Sequence, residues 1–344
     1  MSISISMSKL LVLIVPLFFV AASAQAECRK ALTSDRLDFG VKTGLQEYDC
    51  QPTDPIAEKI DQLDAKQAAS SMLHVTGSPG LRSSMALVVN ERTGEIVYAK
   101  NAETRTSIAS ITKLMMAMVT LDAHLPQNEK ITITTDDIDH VKHTHSRLAI
   151  GTTLTRRELL RLALMSSENR AASALARNYP GGTPAFVAAM NAKAVRLGML
   201  STHFVDSNGL HSENQSTAED LARMVRAAHT YPLITEFTTT YAYDLHMPFY
   251  KRVRHAHVAR KKLVLRNVAF HNTNKLVNDE DWQIGLSKTG YISEAGHCLV
   301  MQTTIANQAF IIVLLDSDGK YTRIDDAVRV KRWLENNSKA ARLG

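Results

Sequence analysis

The sequence predicts an α+β fold, with one antiparallel sheet built from the two ends of the chain and a helical region between them. Three observations predict it. Two strand-like apolar runs flank a turn at residues 85–99, apolar residues recur at helical spacing through the middle, and three strand patterns followed by an amphipathic helix close the chain. At 344 residues and 45% hydrophobic content there is ample material for a buried core. The net charge of +6 suits an anionic partner but is too modest to imply nucleic acid.

The first element reads as a removable leader. Lys9 supplies a positive n-region, Leu10–Val20 is an almost unbroken apolar run, and Ala24-Gln25-Ala26 is a small-residue cleavage site, so residues 1–26 are expected to be a secretory signal peptide. The run falls short of the roughly 20 apolar residues that span a bilayer, and Glu27 stands where a lipoprotein signal before Cys28 needs a small residue. The mature chain is therefore expected to be periplasmic and without a transmembrane anchor. Export places the three cysteines in an oxidising compartment. Whether Cys28 and Cys50 close a disulfide stays open, while Cys298, in an apolar run, reads as a small buried hydrophobe rather than a reactive thiol.

Residues 27–80 form an irregular N-terminal leader in which Ile56–Ala69 is compatible with a helix; residues 81–344 carry the regular pattern of one domain. Met85–Val89 and Ile96–Ala99 flank Thr93-Gly94 and read as a hairpin. Ser110–Ala123 reads as a helix stopped before Pro126. Thr155-Arg156-Arg157-Glu158 is a capping box that opens a second helix running to Met165. Further helices fit Pro184–Leu197 and Ala218–Ala228, strands fit Trp282–Lys288, Cys298–Ile305 and Ala309–Leu315, and a last helix fits Ile324–Asn336. Before the last strands, Lys251–Arg266 holds seven lysines and arginines and no acid, with strand-like alternation. A solvated hairpin face and weak association with an anionic wall or membrane surface are both open readings of it.

Three short patterns carry chemistry: Ser110-Ile111-Thr112-Lys113, Ser167-Glu168-Asn169 and Lys288-Thr289-Gly290. A serine hydroxyl becomes a nucleophile only when a base takes its proton. Positions i and i+3 share a helix face, so Lys113 lies within reach of Ser110, whose place at a helix start also favours developing negative charge. A lysine base must be neutral, which takes burial or a nearby cation, for which Lys288 is the candidate. On a strand edge, Lys288 and Thr289 can hold a substrate carboxylate, and Gly290 clears room for the substrate backbone. Each pattern also occurs a second time, as Ser6–Lys9, Ser212–Asn214 and Lys42–Gly44. The first leaves with the signal and the last lies in the irregular leader ahead of the nucleophile. Ser167 follows a strong helix, whereas Asp206–Thr217 around Ser212 looks like a surface loop, and sites sit better on rigid elements.

With their flanks, Ile108–Met115, Leu164–Ala172 and Lys288–Tyr291, these segments resemble the low-molecular-mass penicillin-binding proteins. The resemblance extends through Tyr179–Gly182, Ser216–Leu221, Asn272–Asn274 and Ala295–Met301, covers roughly residues 80–335, and looks closest to the D-alanyl-D-alanine endopeptidase branch. It implies a β-lactamase/transpeptidase-like fold, peptidoglycan stem peptides as substrate and β-lactams as covalent inhibitors. Residue by residue it implies Ser110 as acylated nucleophile, Lys113 as base, Ser167 and Asn169 as second motif, Lys288 and Thr289 as third, and the backbone N–H groups of Ser110 and Tyr291 as oxyanion hole. No cofactor and no metal are implied. The stretch after Gly290 has room for two strands and a helix, so the β-rich domain and membrane tail of the family's carboxypeptidases are not expected.

Rival readings differ in one feature each. A class A β-lactamase uses a further glutamate in an E-x-x-x-N context, which does not occur between Asn169 and Lys288; Glu168 reads as a helix-start residue or ion-pair partner. A D-alanyl-D-alanine carboxypeptidase differs only in the amine released. A non-catalytic wall-binding or β-lactam-sensing protein would keep the site without turnover. His140, His143 and His145, beside Asp136, Asp137 and Asp139, match no metal-ligand spacing and read as surface or groove histidines.

Overall fold

A computed structural model describes residues 75–255 and 258–343. The signal peptide, the possible helix Ile56–Ala69, the Cys28/Cys50 pair and the leader up to residue 74 lie outside the described residues. The elements in chain order are β1 (Met85–Asn90), β2 (Ile96–Lys100), β3 (Thr106–Ser107), α1 (Thr112–Asp122), β4 (Lys130–Thr132), β5 (Thr153–Thr155), α2 (Arg156–Met165), α3 (Asn169–Arg177), α4 (Gly182–Arg196), β6 (Gln215–Ser216), α5 (Ala218–His229), α6 (Pro232–Thr239), β7 (Ala242–His255), β8 (Val258–His271), β9 (Gln283–Ile292), β10 (Gly296–Ile305), β11 (Gln308–Ser317) and α7 (Thr322–Leu343).

The expected sheet is present. Five antiparallel strands run in the order β2-β1-β11-β10-β9, so the first strands pair with the last: Met85 faces Leu315 and Leu87 faces Val313. Three short or separate pairs, β3–β6, β4–β5 and β7–β8, complete the strands of the described residues. The central strands read as continuous apolar runs because both faces of the sheet are covered. Leu87, Val89, Val300, Ile311 and Val313 pack with the helical region, while Ala86, Val88, Met301, Ile312 and Leu314 pack with Ala327, Val330 and Leu334 of α7. Each buried valine, leucine, isoleucine or methionine among them contributes about 1.5–3 kcal/mol relative to exposure.

In the helical region α1 is the hub. Thr112 through Thr120 are all buried, as suits a helix that is apolar around its circumference. The capping box at the start of α2 is formed as the spacing predicts: Glu158 N donates to Thr155 Oγ1 at 3.2 Å and Thr155 N to Glu158 Oε2 at 2.7 Å. The differences are at ends and in short pieces. The helix expected from Ser110 begins as a 3-10 turn, Ala109–Ile111, and becomes α-helical at Thr112. The last helix runs past Asn336 to Leu343, and α6 with the two-residue strands carries no periodicity long enough to read. The basic stretch lies within a long hairpin, with Ala242 paired to His271 and His255 to Val258. Among the described residues no helix is long and apolar enough to cross a membrane.

Candidate active site

Ser110 sits on the 3-10 turn between β3 and α1. Ala109 before it adopts φ 46°, a left-handed conformation that costs a non-glycine residue of order 1–3 kcal/mol. The surroundings hold that turn in place. Thr112 Oγ1 donates to Ala109 O at 2.7 Å and Ile108 N donates to Asn214 O at 3.0 Å. Two glycines press against the turn from opposite elements. A Cβ on Gly209 would overlap the Ala109 carbonyl, and one on Gly290 would stand 2.9 Å from Ile108 O. One helical turn on, Lys113 Nζ donates to Ser110 Oγ at 2.8 Å, Asn169 Oδ1 at 2.8 Å and Asn208 O at 2.6 Å. In its neutral form the amine keeps two donors and gains a lone pair, so it can accept the Ser110 proton.

The second motif occupies the link between α2 and α3. Ser167 is left-handed at φ 61°, Glu168 holds the N-cap position of α3, and Asn169 is its first residue. Ser167 Oγ accepts from Lys288 Nζ at 3.0 Å, and Asn169 Nδ2 donates to Thr144 Oγ1 at 2.9 Å. The third motif lies within β9 rather than closing it, since the strand continues to Ile292. Lys288 and Thr289 are buried while Tyr291 is 59% exposed and stacks on His297 with ring centroids 4.3 Å apart. Thr289 Oγ1 donates to Thr273 Oγ1 at 2.7 Å.

Burial decides the electrostatics. It lowers the Lys113 ammonium to about 7, against the upward pull of Asp206, Glu168 and Asp139. Of the two routes open from the sequence, burial and a nearby cation, loss of water is the largest cause here. Lys288 is itself held well below the usual lysine range by burial, then by the charges of Lys113 and Arg323. The two amines thus share a dry site in which protonating one opposes protonating the other.

A sequence model of the D-alanyl-D-alanine carboxypeptidases, peptidase family S11, matches residues 72–319. The chain belongs to that family. At the sequence level it is 46% identical to a D-alanyl-D-alanine endopeptidase of Pseudomonas aeruginosa over 265 residues, 76% of this chain and 80% of the relative. It is 41% identical to a D-alanyl-D-alanine endopeptidase of Escherichia coli K12 over 274 residues, 80% of this chain and 83% of the relative. In three dimensions it resembles the Streptomyces K15 DD-transpeptidase, with a TM-score of 0.65, 29% identity, 77% of this chain and all of that one covered. Penicillin-binding protein D2 of Listeria monocytogenes, solved in an ampicillin-bound form, gives a TM-score of 0.60 at 26% identity, covering 75% of this chain and 99% of that one. S11 enzymes are penicillin-binding proteins that act on peptidoglycan, and the fold expected from the resemblance is the fold found.

Six of the eight residues singled out from the three motifs are joined directly: Lys113 bonds Ser110 and Asn169, Lys288 bonds Ser167, and Gly290 packs on the Ser110 turn, while Thr289 and Tyr291 flank Gly290 on β9. The decoy at Ser212 needs a correction of its own. Asp206–Thr217 is not a solvated surface loop: Ser207, Asn214, Ser216 and Thr217 are buried. Asp206 accepts the N–H groups of Asn208, Gly209, Leu210 and His211 and so folds the loop inward. Asn214 Nδ2 bonds Thr112 Oγ1 at 3.1 Å, so the segment that supplies the decoy is a wall of the site. Its polar composition misleads because its polar groups bond one another and the turn that carries Ser110. Glu168 takes both roles expected of it, N-cap position and ion pair, the latter with Arg147 at 3.6 Å. Thr144, Asn208, Thr273 and Arg323 escaped notice. Only Thr273, within Asn272–Asn274, lay in a segment that the resemblance had marked.

Proposed function

We propose that this chain is an exported serine D,D-peptidase that cuts D-alanyl cross-links in peptidoglycan through an acyl-enzyme on Ser110. The single observation that carries the reading is the buried Lys113 amine, lowered to about 7 and 2.8 Å from Ser110 Oγ. Lys113 takes the hydroxyl proton as Ser110 Oγ attacks the D-alanyl carbonyl carbon. The N–H groups of Ser110 and Tyr291 hold the oxygen as it becomes negative. The carbonyl–nitrogen bond breaks and the leaving amine takes a proton passed through Ser167, whose oxygen is held by Lys288. Water then hydrolyses the ester and restores the serine. Asn169 positions the substrate amide, and Lys288 with Thr289 draws the carboxylate next to the departing amine.

Identity to the two endopeptidases over most of their length favours a cross-link as substrate rather than a terminal D-alanine. The test is incubation of purified enzyme with cross-linked and with monomeric pentapeptide muropeptides, followed by mass spectrometry. Disappearance of the dimers, abolished in Ser110→Ala, is the expected result. Release of free D-alanine from monomers with dimers intact would make it a carboxypeptidase, and penicillin labelling without any cleavage would make it a sensor. Residues 1–26 are the export signal and the periplasm the destination in this reading. The basic hairpin Lys251–Arg266 lends weak attraction to anionic wall or membrane surface, which salt-dependent retention on sacculi would reveal and its loss in a triple Arg252, Arg254, Lys261 neutralisation would check.

A further inference from the structure

Asn169 meets Lys113 on one side and a loop that none of the three motifs names on the other. That loop, residues 138–148, is folded by Asp139. Its carboxylate accepts the N–H groups of Val141, Lys142 and Thr144 at 2.8–2.9 Å and the Thr144 hydroxyl at 2.7 Å. Burial acts to raise the Asp139 carboxyl, but these bonds hold it down at about 2, so it stays ionised wherever the enzyme works. Lys142 reaches Glu294, in the turn between β9 and β10, at 2.5 Å, and Ser146 Oγ donates to Glu168 Oε2 at 2.6 Å. The loop is thus tied to the second motif and to the turn that follows the strand of the third.

A carboxamide is nearly symmetric in shape, so its oxygen and its NH2 can exchange places unless the neighbours differ in what they offer. Here they do. An ionised Asp139 can only accept, which commits the single proton of Thr144 to it. Thr144 Oγ1 can therefore only accept from Asn169, and Lys113, donating to Oδ1, makes the matching demand from the other side. Water at the same place could donate or accept and would enforce neither orientation. We propose that Thr144 is a positioning residue for acylation, which locks the Asn169 amide with its oxygen on Lys113 and its NH2 turned away from the amine. The proposal rests on Ser110 and Lys113 acting as nucleophile and base. With the amide reversed, Lys113 would lose an acceptor and face two N–H donors, and the substrate would meet an oxygen in place of a donor.

The groups that face Lys113 are the carboxylates of Asp206, Glu168 and Asp139, the Lys288 amine, the Ser110 hydroxyl, the Asn169 amide and the Asn208 carbonyl. Thr144→Val removes none of these charges, because Asp139 keeps its three backbone donors and stays ionised. A shift in Lys113 titration in that variant therefore reports the amide alone. Losing an acceptor disfavours the ammonium, so the shift is to lower pH.

The experiment compares wild type, Thr144→Val and Thr144→Ser for the rate of acylation by a fluorescent penicillin across pH, for melting temperature, and for the Lys113 titration by NMR of lysine carbon-labelled protein. Thr144 is exposed, so the valine variant is expected to fold. Thr144→Val should acylate about tenfold more slowly, the equivalent of one well-placed hydrogen bond, with Lys113 titrating at lower pH and an unchanged melting temperature; Thr144→Ser should match wild type. Wild-type acylation and titration in the valine variant would overturn the proposal. So would equal losses in both variants together with a lowered melting temperature, which would make Thr144 a loop anchor. If wild type itself fails to react with penicillin, the proposed function falls, while the lysine titration still decides the role of Thr144.

Discussion

In the proposed acyl transfer Lys113 is the base, and its burial yields two predictions. As a base it works only when neutral, so the rate of Ser110 acylation should rise with pH to a limb near 7 and flatten above it. Stopped-flow acylation between pH 5 and 9 measures this, and a limb near 10 would show an unburied lysine. The same burial costs stability. The folded pKa of about 7 lies below the ordinary 10.5, so between those values the unfolded chain binds more protons and folding gains stability as pH rises. Below 7 the full cost of a buried ammonium is present. Lys113→Met should therefore abolish acylation yet raise the melting temperature, most below pH 7, with the gap narrowing towards pH 10. Relief of the repulsion on Lys288 acts in the same sense. A pH-independent gap would contradict the burial argument. That Lys113 reaches Ser110 was legible in the i, i+3 spacing. What lowers it was not, because burial by a whole fold leaves no mark on a tetrapeptide.

At the scale of elements, the site is an arrangement of turns pinned by close approach. The Asp206–Thr217 segment brings Gly209, at φ 81°, against the carbonyl of Ala109. Gly209→Ala would meet both a strained backbone and an overlap with that carbonyl, so the loop and the Asn208 oxygen that bonds Lys113 would be driven off. The expected outcome is a folded protein with at least a hundredfold slower penicillin labelling, in line with displacing a catalytic group by about an ångström. Near-normal labelling would mean that the loop tolerates the shift. Helices with a capping signal or a long apolar stripe, α2 and α5, could be read from the sequence to within a residue or so. The Gly209 contact could not, because its partner lies a hundred residues away and a glycine in a polar stretch reads as an ordinary turn.

At the scale of the molecule, the sheet joins the first and last strands of the described residues and α7 covers one of its faces. Asp326 of α7, fully buried, takes the backbone N–H groups of Arg82 and Ser83 and the Ser83 hydroxyl, and Thr76 is held by Asn337. Deleting residues 320–344 would uncover Leu299, Met301, Ile312 and Leu314 and remove Arg323 from beneath the third motif. That chain should be insoluble rather than merely inactive, which a soluble fraction and a penicillin-labelling gel will show; a soluble, reactive product would mean that the sheet stands without its cover. By itself the sequence determined the α+β order of strands and helices and that Lys113 stands one turn from Ser110, because periodicity, capping and one-turn spacing are local; preferring Ser167 to Ser212 took the family resemblance as well. Only the tertiary structure decided that the polar segment around Ser212 walls the site, that Thr144 receives the Asn169 amide, and that loss of water is the largest cause lowering Lys113. Those depend on contacts between distant segments and on the exclusion of water, which no short stretch of sequence carries.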